Sequence, residues 1–309
     1  MSSTYAEALA AGERAAQRYL LTVPRTLTAG LGGVRLGRRA GSSLEFQEYR
    51  DYHPGDDPRH LDWSAYGRSD RLVVKLFREE VDPHVDLLVD GSRSMASDEP
   101  VTADAAAGPA PSVKAAAAAG LAALLAAAAA RAGFSQSAWL LAAPCRALGP
   151  ANARPRTWDG LSFDFRAAPR AAFASALARS PPPWRRRGVR VLLSDLLWDE
   201  EPRSILARLA RGAAAVVVVQ VLSADDAAPA PHGFVTLVDA ESGETHDLLV
   251  DAAAVERYAA ALAEHQRAWR EACREIGAVM ATVTAERLVD GWPPEELAEL
   301  VELQVLEPR

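Results

Sequence analysis

The stretch with the clearest chemical content is Leu87-Leu88-Val89-Asp90-Gly91-Ser92-Arg93-Ser94-Met95. An apolar strand runs directly into the pattern D-x-S-x-S, so a carboxylate and two hydroxyls leave alternate positions of one turn toward a common point. A set of oxygen ligands suits a hard cation such as Mg²⁺, which keeps several waters and takes few protein ligands. A second carboxylate, Asp195, closes another apolar strand (VRVLLSD) 105 residues later. If the two strands are parallel neighbours, Asp90 and Asp195 meet at the same sheet edge. A local reading competes at each position. Ser92 and Ser94 can cap the turn, Asp90 can accept backbone N–H bonds there, and Asp195 can cap a helix starting near Leu196.

Other candidates carry less. His53, Asp56, Asp57, His60 and Asp62 cluster around a Pro-Gly turn, but the segment from Arg35 to Glu80 holds nine basic and nine acidic residues. That balance points to a structural loop and to ion pairs rather than to an ion-binding face, with Trp63 and Tyr66 as packing anchors. Arg185 to Arg187 reads as a solvated loop. The chain contains no GxxxxGK[ST], HExxH or GxSxG. A metal-dependent hydrolase needs a base beside the cation, and the histidine nearest the first motif, His84, stands at the far end of its strand.

These residues need elements to hold them. An amphipathic helix is expected over 4–20, followed by a glycine-rich stretch (Gly30, Gly32, Gly33, Gly37, Gly41). Strands are expected over 71–78, 84–89, 137–142, 189–193, 213–222 and 278–283. Residues 234–238 and 245–250 read as a hairpin. Helices are expected over 112–132, 167–178, 202–210, from the Asp251 cap to 276, and over 293–305 with Pro at the first turn. Strands alternating with helices imply an α/β fold in three layers, a mostly parallel sheet with helices on both faces. Ligands of such sheets bind at the carboxyl ends of the strands.

The turn and the late aspartate resemble the metal-ion-dependent adhesion site of von Willebrand factor type A domains. The segment EFQEYRDYHPGDDPRHLDWSAYGRSDRLVVKLFREE, followed by VDLLVDGSRSM, resembles the DUF58 family from about Gly41 through Met95, with weaker support from SDLLWDE. This resemblance implies a von Willebrand factor A-like domain over 83–309 behind an N-terminal helix and a small β-containing module over 1–82. It implies a site formed by Asp90, Ser92, Ser94 and Asp195 that binds Mg²⁺, or Mn²⁺ or Ca²⁺. It also implies a non-enzymatic interaction role, as adaptor or chaperone-like partner of a MoxR-type AAA+ ATPase and its client. In the wider type A fold a middle-loop threonine is a further ligand. Here RAAPRAAFASAL has Ala171 or a neighbour at that place, and Thr157, Ser162 and Asp164 sit in no recognisable pattern. A metal-free scaffold with a decayed site is therefore the main alternative.

Composition narrows the setting. The 309 residues carry a net charge of -7, unlike a general nucleic-acid binder. Two cysteines, Cys145 and Cys273, show no metal spacing and no disulfide framework, so a reducing, cytoplasmic compartment is expected. No basic, apolar leader opens the chain. Of the 64 alanines, the densest run, Ala115 to Ala130, reads as a buried helix rather than a membrane span.

Overall fold

The structure, a computed structural model, describes residues 3–24, 45–53, 61–78, 83–95, 112–142, 144–160, 177, 181–198, 200–230, 233–239 and 244–309. It divides into two compact units, one formed by Met1–Gly33 with His84–Arg309 and the other by Val34–Pro83. The chain is thus mixed α/β, as its alternating elements predict.

The larger unit is built on a six-stranded sheet. In chain order its strands are β4 (His84–Asp90), β5 (Ser135–Leu141), β6 (Arg146–Ala147), β7 (Val189–Ser194), β8 (Ala215–Leu222) and β11 (Val279–Thr284). Their spatial order is β11-β8-β7-β4-β5-β6, parallel except for β6. Every residue of β4, β7 and β8 is buried, which is why they read as continuous apolar runs instead of alternating ones.

One face of the sheet packs on α3 (Val113–Arg131) and the other on α4 (Pro202–Ala210) and α6 (Ala252–Ile276). Ser112 caps α3 by accepting the Ala115 N–H at 3.1 Å. Asp251 does the same for α6 toward Ala254 at 2.8 Å, and Gly277 ends α6 in the left-handed conformation. The opening helix α1 (Ser3–Ala15) covers the outer side of α3. This accounts for the alanine run: α3 is enclosed on both sides, and the two helices meet at Gly12 and Gly120. A Cβ on Gly12 would run into the Gly120 carbonyl oxygen. By length and composition α3 could cross a membrane; in this fold it is the core helix.

Three expectations change. Helix α1 stops at Ala15, and Tyr19–Leu21 forms strand β1, paired antiparallel with β12 (Leu306–Pro308). The helix expected over 293–305 is a 3-10 turn (Pro294–Leu297) and a short helix, Ala298–Glu302. Pro293 keeps an extended backbone, and Gln304 turns the chain at positive φ into β12. The N-terminal helix also belongs with the sheet unit instead of with the charge-rich segment, because its apolar face (Tyr5, Leu9) lies in the main core. The helix expected over 167–178 lies outside the described residues, apart from Leu177. The predicted hairpin forms as β9 (Gly233–Val238) and β10 (Thr245–Val250), with Phe234, Leu237, Leu248 and Leu249 exposed.

In the smaller unit, β2 (Glu45–Asp51) pairs antiparallel with β3 (Val73–Arg78) around α2 (Trp63–Ser69). Asp62 caps α2, accepting the Ser64 and Ala65 N–H groups at 2.9 and 3.0 Å, and also accepts the Tyr49 hydroxyl at 2.8 Å. Its carboxylate is spent on this local structure. His53 lies against Arg50 and the Asp51 carbonyl; Asp56, Asp57 and His60 lie outside the described residues. Trp63 and Tyr66 are exposed and meet edge to face at 6.4 Å.

Candidate cation site at the carboxyl edge of the sheet

β4 and β7 are parallel neighbours with Val89 opposite Leu193, so Asp90 and the Ser194-Asp195 pair emerge side by side. Asp90 is the last residue of β4 and is buried. Its Oδ1 accepts the Ser92 N–H at 2.8 Å, and its Oδ2 accepts the Ser194 hydroxyl at 2.5 Å. A short 3-10 turn, Arg93–Met95, then brings the Ser92 and Ser94 hydroxyls to 3.0 Å from each other. Gly91, between Asp90 and Ser92, has no room for a side chain. It donates to the Leu141 carbonyl, and a Cβ there would sit 2.9 Å from that oxygen. The turn is tied to the next helix by Ser112, whose hydroxyl donates to the Met95 carbonyl at 2.6 Å.

Asp195 is fully buried. Its Oδ1 accepts the Leu197 N–H at 3.2 Å, but no helix starts there, because Leu196 takes a positive φ of 61°. That conformation is uncommon for leucine. It is held by the Ser194 hydroxyl on the Leu196 N–H (2.9 Å) and by His265 Nε2 against the Leu196 carbonyl (2.8 Å). Gln220, from β8, donates to the Asp195 carbonyl at 3.1 Å and is itself held by Gln266.

The residue that sequence reasoning missed is Lys114. It is buried in the first turn of α3, with Nζ 3.2 Å from Asp195 Oδ2 and 2.8 Å from Asp226 Oδ2. Asp226, in the short helix α5 (Ala224–Ala227), is fixed by a reciprocal capping box with Ser223, and its carbonyl accepts the Tyr258 hydroxyl. A signal for Lys114 was present. The chain has only two lysines, and this one occupies a helix N-terminus, where the dipole disfavours a cation. Such a placement calls for compensating carboxylates.

Burial, and then the neighbouring Asp195 charge, push the Asp90 carboxyl up to about 7, against the partial offset of the Ser194 and Ser92 hydrogen bonds. Burial also acts to lower Lys114, but Asp195 and Asp226 outweigh it and hold the ammonium above its ordinary range. Lys114 thus pairs with two carboxylates, Asp195 and Asp226, while Asp90 is held by hydroxyl and N–H donors. Because the folded Asp90 value lies above the ordinary 3.8, the folded state holds a proton that the unfolded chain has released. Its contribution to stability is therefore complete in acid and is lost as pH rises from about 4 through about 7. In cation-free urea unfolding, Asp90→Asn should gain on the wild type as pH rises and level off above about 8, with a total gain of a few kcal/mol. A stability difference that stays flat from pH 5 to 8 would refute this.

Asp90, Ser92 and Ser94 fit a hard divalent ion, being oxygen donors from one turn beside a second carboxylate, Asp195. Asp195 is already ion-paired. Thr157 spends its hydroxyl on the Arg154 carbonyl at 2.7 Å, while Ser162, Asp164 and Ala171 lie outside the described residues. Among the described residues no three His, Cys, Asp or Glu side chains form a metal cluster.

At the opposite edge of the sheet, roughly 20 Å away along β4, His84 bridges Ser135 (Nδ1 to Oγ, 2.8 Å) and Asp86 (Nε2 to Oδ1, 3.2 Å). Asp86 also accepts from Trp139 Nε1 and the Arg185 N–H. So many donors make it an anchor for three segments. Both cysteines are free thiols.

The chain matches the family described as "Protein of unknown function DUF58" over residues 48–268. It is 29% identical over 279 residues to the uncharacterized protein Rv1480 of Mycobacterium tuberculosis, covering 86% of this chain and 83% of that one. The uncharacterized protein Mb1516 of Mycobacterium bovis matches to the same extent. Among solved structures it is similar to an aerotolerance-related membrane protein from Bacteroides fragilis. That match has a TM-score of 0.40 and 13% identity, covering 71% of this chain and 98% of that chain. A second is the conserved hypothetical protein BatB from Bacteroides thetaiotaomicron, with a TM-score of 0.34 and 10% identity over the same shares.

Proposed function

Because the chain belongs to the DUF58 family, we propose that it is a non-enzymatic protein-interaction module of the von Willebrand factor type A kind, built around an adhesion-type cation site. The observation that carries this reading is the turn after β4. There a buried carboxylate and two hydroxyls converge at the edge where ligands of parallel sheets bind. Asp90, Ser92 and Ser94 would hold Mg²⁺, Mn²⁺ or Ca²⁺, with Asp195, ion-paired with Lys114, beside them. The ion would supply a coordination position for an acidic side chain of a partner, and no bond is made or broken. The partner we favour is a MoxR-type AAA+ ATPase, met in the cytoplasm, with this chain as its adaptor or chaperone-like component toward a client.

Chelator-stripped protein is expected to melt higher when Mg²⁺ or Mn²⁺ is added, by mass action on the folded state. Asp90→Ala should abolish the rise. Calorimetry that detects no heat of binding at millimolar cation would remove the metal from the account. A second reading, a metal-free scaffold, is favoured by one observation: the Lys114 ammonium already neutralises Asp195. The two readings differ in whether partner binding depends on a cation.

A further inference from the structure

Both Asp195 oxygens are engaged within the chain, Oδ1 by the Leu197 N–H and Oδ2 by the Lys114 ammonium. The ammonium is shared with Asp226, which it approaches more closely (2.8 against 3.2 Å) and whose side chain is 24% exposed where that of Asp195 is fully buried. Lys114 leaves the first turn of α3, whose cap Ser112 donates to the Met95 carbonyl at the end of the turn that presents the hydroxyls. Its side chain is buried, and its Nζ lies against the Asp195 and Asp226 carboxylates.

We propose that Lys114 is a built-in cation that competes with a divalent ion for the negative charge of Asp195, and thereby sets the affinity of the site. This rests on the cation reading above and adds its regulation. With Lys114 on Asp195, the site offers a divalent ion the charge of Asp90 but little of that of Asp195. Asp226 gives the ammonium a second carboxylate to rest on, so an ion can draw on Asp195 without leaving a buried ammonium unpaired. A site of this kind binds its cation weakly and reversibly, which suits an adaptor that must release its partner.

The test is calorimetric titration of chelator-stripped protein with Mn²⁺ alone, comparing wild type with Lys114→Met, which keeps the apolar stem and removes the charge. Lys114→Met is expected to bind Mn²⁺ at least about tenfold more tightly, a difference of about 1.4 kcal/mol. If the single variant does not fold, Lys114→Met with Asp226→Asn removes one charge of each sign and is expected to show the same tightening. Equal affinity in wild type and variant overturns the role of Lys114 and leaves the cation site standing. Binding by the variant with none by the wild type supports the competition and ends the cation reading for the native protein. Absence of binding in both overturns the competition as well.

Discussion

Asp195→Asn is expected to destabilise the protein by about 3–5 kcal/mol, the cost of breaking a buried ion pair from one side. The exchange is nearly isosteric, so the effect is not one of volume. Both carboxylate oxygens face donors, Leu197 N–H on one side and the Lys114 ammonium on the other. Whichever way the new amide turns, its NH₂ group meets a donor. Asp226 keeps part of the ammonium's compensation, which places the expected value toward the lower end of that range. A second readout separates electrostatics from general damage. Removal of the Asp195 charge takes away one of the two causes that raise Asp90, so Asp90 should titrate below its wild-type value of about 7. Urea unfolding and carboxyl chemical shifts measure the two effects. Unchanged stability with an unchanged Asp90 titration would contradict the site as described.

Gly12→Ala should cost about 3 kcal/mol, although alanine in a helix interior ordinarily gains about 0.5–1 kcal/mol over glycine. The sign reverses because the added Cβ meets the backbone carbonyl of Gly120, which cannot rotate away, so α1 and α3 must separate along their contact. At Gly120 an added Cβ meets ring atoms of the buried Trp292 at 2.5 and 2.7 Å and the Ala8 carbonyl oxygen at 3.0 Å. These approaches are less severe than the one at Gly12, so Gly120→Ala should cost less. Thermal unfolding of the two single variants checks the ranking. A stabilised Gly12→Ala would mean that the helices do not meet there.

Much of the larger unit was legible in the sequence because its signals are local and redundant. The β-branched run of β8, the Asp251 cap of α6 and the two flanks of the hairpin each declare their own conformation. β1 and β12 were not legible: three residues at each end of the chain have no periodicity, and their strand character comes only from pairing with each other. The C-terminal helix failed for the same reason, since Leu306 is drawn into the core by that pairing. In the charge-rich segment, β2 and α2 are specified by the Asp62 cap and by cross-strand pairing, which charge density conceals.

The site divides similarly. Asp90, Ser92 and Ser94 lie within five consecutive residues, and Asp195 ends a strand whose apolar run is unmistakable. Ser194, Lys114 and Asp226 come from three separate elements, and their meeting depends on strand order and on the register of α3 over the sheet. Spacing along the chain carries no trace of that. What the structure adds is the charge arrangement: an ammonium placed against the late aspartate, and a first aspartate held by hydroxyl and N–H donors.

Capture of a partner through a cation at this edge makes the complex depend on the ion. The most direct measurement is pull-down of a MoxR-type AAA+ ATPase by the purified chain in Mg²⁺ and in excess chelator, with Asp90→Ala as control. The account predicts a complex in Mg²⁺ that is lost both in chelator and in the variant. A complex that forms equally well in chelator and with Asp90→Ala would contradict it and leave the metal-free scaffold.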